Sequence, residues 1–182
     1  PTMVPLETLT PVWSNNEYDA IYCLALQALR THSLPVLRKL RASARHQIEV
    51  DFVHYADHWQ HHRGTPCHSY DHNASSTAYP SHQWTQGLYY YYCLTGDDDI
   101  PEVIRAICDF NLMWLVRPEI QFVHGFNREL GWAIIALVFG YECTGDPVYL
   151  ETAKDVIEET MKFSGMEEAG EDGVGNYEKA LG

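Results

Sequence analysis

Eight of the ten histidines in this 182-residue chain fall between His46 and His82. Within that span the segment "HSYDHNASSTAYPSHQW" interleaves imidazole, phenol, carboxylate and indole groups. A neutral histidine or an ionisable tyrosine is suited to removing a proton next to a carboxylate, and a cation such as arginine offsets the enolate-like charge that develops. His72, His82 and Tyr79 are the candidate acids and bases for such a step, with Arg128 as the cation. His68, Tyr70, Asp71, Trp84, Glu129 and Trp132 are the candidate substrate contacts, because flat apolar sugar faces pack on indole rings while polar side chains reach the hydroxyls. Plainer readings stand beside these. Trp59, Trp84 and Trp132 also suit a core, Glu129 also suits pairing with Arg128 or a helix start, and histidines at a helix end answer its dipole.

His54, His58 and either His61 or His62 have helical spacing and would form an imidazole stripe on one helix face. A zinc site using Cys67 and His68 would be the sharper reading. No HExxH, CxxC or HxH framework supports it, so no metal and no cofactor is assigned. The net charge of −13 argues against nucleic acid as a partner. Screening over about 8 Å at physiological salt leaves local charge free to govern a cleft. "WAIIALVFGY" falls short of the ~20 apolar residues a membrane helix needs, so no membrane partner is expected. "PTMVPLETLTPVW" has no basic region ahead of an apolar core, so no signal peptide is read. Of the five cysteines, Cys23, Cys93, Cys108 and Cys143 fall in apolar helical stretches, which points to a reducing compartment and a cytoplasmic location.

The elements that must position these groups are helices. The first is expected from about Asn15 to Thr31, with Ser14 and Glu17 in capping-box register and Tyr18, Ile21, Tyr22, Ala25, Leu26 and Leu29 on its apolar side. The second starts near Leu34-Pro35 and uses Val36, Leu37, Leu40, Ile48, Phe52 and Tyr55. The third starts at Ser81, which puts His82 in its first turn, where the dipole favours a neutral ring. Leu88, Tyr91 and Tyr92 are its expected core residues. Asp99 and Glu102 box the start of the fourth, Asn127 caps the fifth over Leu130 to Tyr141, and Pro147 opens the sixth, which ends near Phe163. Thr95-Gly96-Asp97 and Thr144-Gly145-Asp146 are two copies of one helix-ending mark, 49 residues apart, so each unit is a helical hairpin. By that offset Arg128 stands opposite Tyr79.

The fold class expected is therefore all-α: about three antiparallel helical hairpins in one domain over 1–182, with an inserted loop at 63–80 and a tail or cut end at 164–182. Odd-numbered helices ("GLYYYYCL", "GWAIIALVFG") are aromatic and small on all sides, whereas even ones ("ETAKDVIEETMK") carry charge on one face. That asymmetry places the odd helices inside.

"YPSHQWTQGLYYYYCLTGDDDIPEVI" followed by "GFNRELGWAIIALVFGYECTGDPVYLETA" resembles the α/α-toroid core of carbohydrate-active enzymes, closest to the exo-acting rhamnogalacturonan lyase-like polysaccharide lyases. The resemblance spans about His68 to Glu151. It implies β-elimination at C4 of a uronic acid in an oligo- or polysaccharide, with His82, His72 or Tyr79 as base or acid and Arg128 facing the carboxylate. It also implies a ring of six hairpins. Three hairpins make an arc, to be completed by the remainder of a longer chain or by a second copy. Two alternatives remain open. One is a glycoside hydrolase using two carboxylates such as Asp71 and Glu129. The other is a non-catalytic helical-repeat module that binds sugars or proteins.

Overall fold

Three helix-ending turns of one design set the path of the chain in the computed structural model, which describes residues 18–55, 64, 80–115 and 127–164. The helices are α1 (Ala20–Thr31), α2 (Leu34–His46), α3 (Gln86–Thr95), α4 (Asp99–Leu115), α5 (Asn127–Thr144) and α6 (Pro147–Ser164). A π-helical turn, Gln47–Asp51, continues α2, and a 3-10 turn, Pro80–His82, precedes α3. No β-strand occurs among the described residues, so the class is all-α. Among them, too, no helix is long and apolar enough to cross a membrane.

Each hairpin turn follows the same rule. Thr31, Thr95 and Thr144 fold their hydroxyls back onto the carbonyls of Gln27, Tyr91 and Gly140, at 2.7, 2.8 and 2.7 Å. The next residue is left-handed and returns its N–H to the last turn: His32 to Ala28 O, Gly96 to Tyr92 O, and Gly145 to Tyr141 O. Gly96 and Gly145 adopt φ of 67° and 70° without steric cost, whereas His32 adopts 52° with a Cβ in the way. His32→Gly should therefore stabilise the protein by about 0.5–1 kcal/mol, read as a higher urea midpoint at unchanged slope.

Helix α1 begins five residues later than the capping-box reading placed it. Ser14 and Glu17 lie outside the described residues. The cap is Asp19, whose Oδ1 accepts from Tyr22 N at 2.8 Å. Its other oxygen accepts from Gly87 N in the first turn of α3, at 2.7 Å. One carboxylate thus answers the free N–H groups of two helix starts. Tyr18, expected on the apolar side, precedes the helix and is exposed, as are Leu26 and Leu29; Ala28 is buried instead.

Helix α2 is also shorter than its apolar pattern. The chain turns out at Gln47–Asp51 and is extended at Phe52. Leu40, Ile48 and Phe52 still reach the core, but Tyr55 is left 85% exposed. His54 is therefore on no helix, its Nε2 contacting Ile48 O, and the expected imidazole stripe does not form there. His58, His61 and His62 lie outside the described residues.

Contacts run from each helix to the next and across pairs: α1 packs on α2 and α3, α3 on α4 and α5, and α5 on α4 and α6. The shared core joins Ile21 and Ala25 to Leu40, Leu88, Tyr91, Ile104, Ile107 and Leu137. A smaller cluster, Phe110, Trp114, Leu130 and Val156, closes the far end. Tyr92, expected in the core, is only half-buried. The exposed stripe of α4 is charged (Glu102, Arg105, Asp109). What α1, α3 and α5 leave half-open is aromatic. Tyr22 meets Tyr90 at 5.4 Å between ring centroids, Tyr89 meets Phe139 at 5.7 Å, and Tyr90 meets Phe139 at 6.3 Å.

An ion network fastens the first hairpin to the second. Arg45 Nη1 sits 3.2 Å from Asp97 Oδ2 and 2.7 Å from Asp99 Oδ2, while its Nη2 pairs with Glu49. Tyr91 donates its hydroxyl to Asp97 Oδ2 at 3.0 Å. Asp99 is thus engaged by Arg45, and the carboxylate that reaches the start of α4 is that of Asp97, on Asp99 N at 3.4 Å. Desolvation pushes the Asp97 carboxyl up, but the Tyr91 hydroxyl, Arg45 and the Asp99 N–H together hold it below the ordinary value. Asp19 goes the other way: burial outweighs its N–H donors and raises it. A lowered carboxylate lends stability above its unfolded value, lost as pH falls through its folded one; a raised one lends stability below its unfolded value, lost as pH rises through its folded one. Asp97→Asn should thus shrink the loss of stability seen below about pH 4, and Asp19→Asn should not, as urea midpoints at pH 7 and pH 3 would show.

Candidate functional site

Burying non-helical backbone is costly unless its polar groups are met. The segment from the 3-10 turn to α3 is buried at Ser81, Gln83, Trp84 and Thr85, and each of the four is tied to another element of the fold. Pro80 O accepts Gln83 N at 3.1 Å and closes the 3-10 turn. Ser81 N donates to Glu129 Oε2, in the first turn of α5, at 2.8 Å. Gln83 Nε2 donates to Gly64 O at 3.0 Å, and Gln83 Oε1 accepts from Asn111 Nδ2 on α4 at 2.8 Å. Trp84 O accepts from Gln47 Nε2 in the π turn at 3.2 Å. Thr85 Oγ1 donates to Ala136 O on α5 at 3.4 Å, and Thr85 O accepts Tyr89 N at 2.9 Å.

His82 is the exception. The residue is half-buried, and its Nδ1 is buried with no hydrogen-bond partner among the described residues. Asn111 Oδ1 is orphaned in the same way, on a side chain that is 0% exposed. Asn111 Nδ2 is fully used, by Gln83 Oε1 and by Ile107 O at 2.8 Å. Two unmet polar atoms therefore flank Gln83, one on its chain neighbour and one on its hydrogen-bond partner.

His82 does not stand in the first turn of a helix, as the sequence led us to expect. It ends the 3-10 turn, and α3 begins only at Gln86. The helix cannot start earlier because Gln83 and Thr85 turn their side chains to α4 and α5, and Gly87 is pressed against the start of α1. The dipole argument for a neutral His82 accordingly lapses.

The same junction gathers Trp84, Glu129 and Trp132. Trp84 is 2% exposed and meets Trp132 edge-on, with centroids 4.4 Å apart and planes at 87°. Trp84 is thus covered, and Trp132, half-buried, is the ring of the pair with surface to offer. Arg128 is exposed in the first turn of α5. His68, Tyr70, Asp71, His72 and Tyr79 lie outside the described residues, as do Trp59 and Cys67. Among the described residues no three His, Cys, Asp or Glu side chains cluster closely enough to hold a metal ion.

Sequence reasoning missed Gln47, Gln83 and Asn111. For Asn111 a signal existed: it is the polar member of an otherwise apolar stripe, Ile100, Ile104, Ile107, Trp114. Nothing in the sequence tied Gln47 to Trp84, a pairing that depends on α2 breaking into the π turn.

Comparison with known proteins adds no assignment. No family model, curated protein or solved structure matches this chain.

Proposed function

We propose that this chain is a carbohydrate-active helical domain of the (α/α)-toroid type, lyase-like, acting by β-elimination on glycans that contain uronic acid. The observation that carries the reading is the pinned segment Ser81–Thr85. Of five consecutive buried or half-buried residues, four are fixed to α4, α5 and the π turn, and the fifth is His82, whose Nδ1 meets no hydrogen-bond partner among the described residues. An unmet buried polar atom costs about 1–3 kcal/mol, a cost that a bound ligand or water relieves.

In this reading a base takes the proton at C5 of the uronate, the C4–O bond breaks, and the C4–C5 double bond forms. His82, His72 and Tyr79 are the candidate acids and bases, Arg128 faces the carboxylate, and Trp132 receives a sugar face. The half-open rings of Tyr22, Tyr89, Tyr90 and Phe139 extend an aromatic surface along the odd-numbered helices, suited to the apolar faces of further sugar units.

The same aromatic surface favours a second reading, a non-catalytic module that holds sugars on the face of its odd-numbered helices. Incubation with pectic oligosaccharides separates the possibilities. Unsaturated-uronate absorbance is the expected result. Reducing sugar without that absorbance would transfer the site to hydrolysis, and binding without either product would leave the module. His82→Ala should lower turnover by about 100-fold or more while sugar binding persists.

A further inference from the structure

We infer that two copies of this chain associate head to tail, the open face of the first hairpin in one copy docking on the open face of the third hairpin in the next. Nothing in this depends on glycan chemistry. Its basis is a register that recurs at both joints between hairpins. At the joint of the second and third, Thr85 before α3 and Cys108 on α4 both donate to Ala136 O of α5, at 3.4 and 3.3 Å. Ala136 is small and fully buried. Gly87, 49 residues earlier, holds the same place at the joint of the first and second hairpins, pressed on Ile21 and Tyr22 with no room for a Cβ. The rings keep the same register: Phe139 meets Tyr90, and Tyr90, 49 residues earlier, meets Tyr22. Each later hairpin thus offers a small residue and a ring, and each earlier one receives them.

Both halves of that joint occur again at the two ends, uncovered. The Thr31 and Thr95 turns are 64 residues apart, so Cys23 and Leu26 on α1 hold the places of Gly87 and Tyr90. Cys23 is exposed, and Leu26 is 42% exposed. At the other end, Ile134 and Ile157 stand 49 residues beyond Thr85 and Cys108. Ile134 is half-buried, and Ile157 is 41% exposed where its counterpart Cys108 is fully covered. A helix as apolar on all sides as α5 suits burial on all sides, and the end units of a stack that stays single carry a polar outer face. Charge selects a second copy as the occupant. Outer helices link across each internal joint, Arg45 of α2 to Asp99 of α4 and Tyr149 of α6 to Asp109 of α4. Between copies, α2 would meet α6. Helix α2 carries four cations, Arg38, Lys39, Arg41 and Arg45, and no acidic residue, whereas α6 carries four carboxylates to two lysines. In a chain of net charge −13, that basic helix is what lets copies approach each other.

Sedimentation velocity over a wide range of concentration tests this on the 182-residue chain and on Leu26→Glu and Ile157→Glu. Each substitution puts a carboxylate into one half of the joint at an exposed position, and circular dichroism checks that the helix content of the parent is kept. The parent is expected to self-associate as concentration rises, and each variant alone to remain a monomer. An equimolar mixture of the two should form a 1:1 pair, because one copy still has a sound first hairpin and the other a sound third. That result is particular to a head-to-tail contact. A variant that self-associates alone, or a mixture no larger than its parts, overturns the proposal. A parent that stays monomeric overturns it as well and hands the two faces to another partner. Salt supplies a second measurement on the parent: association should weaken as ionic strength rises, and association unmoved by salt overturns the pairing of α2 with α6.

Discussion

Gly87→Ala is expected to cost about 3–5 kcal/mol, a large share of the stability of a domain this size. A Cβ at Gly87 would meet Asp19 Oδ1 and the backbone nitrogen of Tyr22 well inside van der Waals contact, and Ile21 Cβ at 2.8 Å. The obstacle is backbone rather than a flexible side-chain end, so α1 and α3 must separate. Separation also breaks the bond from Gly87 N to Asp19 and strips α3 of that partner. Asp19→Ala removes the shared cap without adding bulk and should cost less, about 2 kcal/mol. Urea unfolding followed by circular dichroism gives both values. A Gly87→Ala protein within 1 kcal/mol of the parent would mean that α1 does not dock on α3 in this way.

The second large effect is expected at Asn111. Asn111→Leu keeps the branch at Cγ but adds volume and leaves Gln83 Oε1 buried without its donor, which costs about 3 kcal/mol once the strain of overpacking is added. Removing both partners is the discriminating experiment. In Asn111→Leu/Gln83→Leu the mutual pairing disappears from both sides, and Gly64 O and Ile107 O each lose a side-chain donor. The double variant should recover about half of the single variant's loss, because paired removal is far less costly than leaving one partner stranded. Equal or greater loss in the double variant would show that the two side chains act independently.

Helix order and most helix ends were legible in the sequence because they rest on local chemistry. The Thr-Gly-Asp marks fix their turns through bonds no longer than one helical turn, and Pro147 opens α6 where its missing N–H costs nothing. The errors fall where a distant partner overrides local preference. Local propensity alone would run α2 on to Tyr55, but the chain leaves the helix at Gln47, whose side chain is drawn to Trp84, 37 residues away. The start of α3 moved from Ser81 to Gln86 because Glu129 and Asn111 claim Ser81 and Gln83. At the candidate site, residue type and spacing named His82, Trp84, Glu129 and Trp132, which the fold brings to one junction. The clamp that holds them was not, since amide-to-amide pairing leaves no mark on hydrophobic periodicity. Arg45 was likewise invisible: Glu49 is its local neighbour in the π turn, but Asp97 in the α3–α4 turn and Asp99 at the start of α4 reach it only when the hairpins meet.

The single carboxylate of Asp19 shared by Tyr22 N and Gly87 N carries a kinetic consequence. The two amides are 65 residues apart in the chain, yet neither can be released from that oxygen pair without disturbing the other. Fraying at one helix entrance should therefore propagate to the second, so that deuterium enters both sites through a common opening event. During folding the entrance of α3 stays loose until the distant aspartate arrives, which makes docking of the N-terminal pair a late, closing step rather than a nucleus.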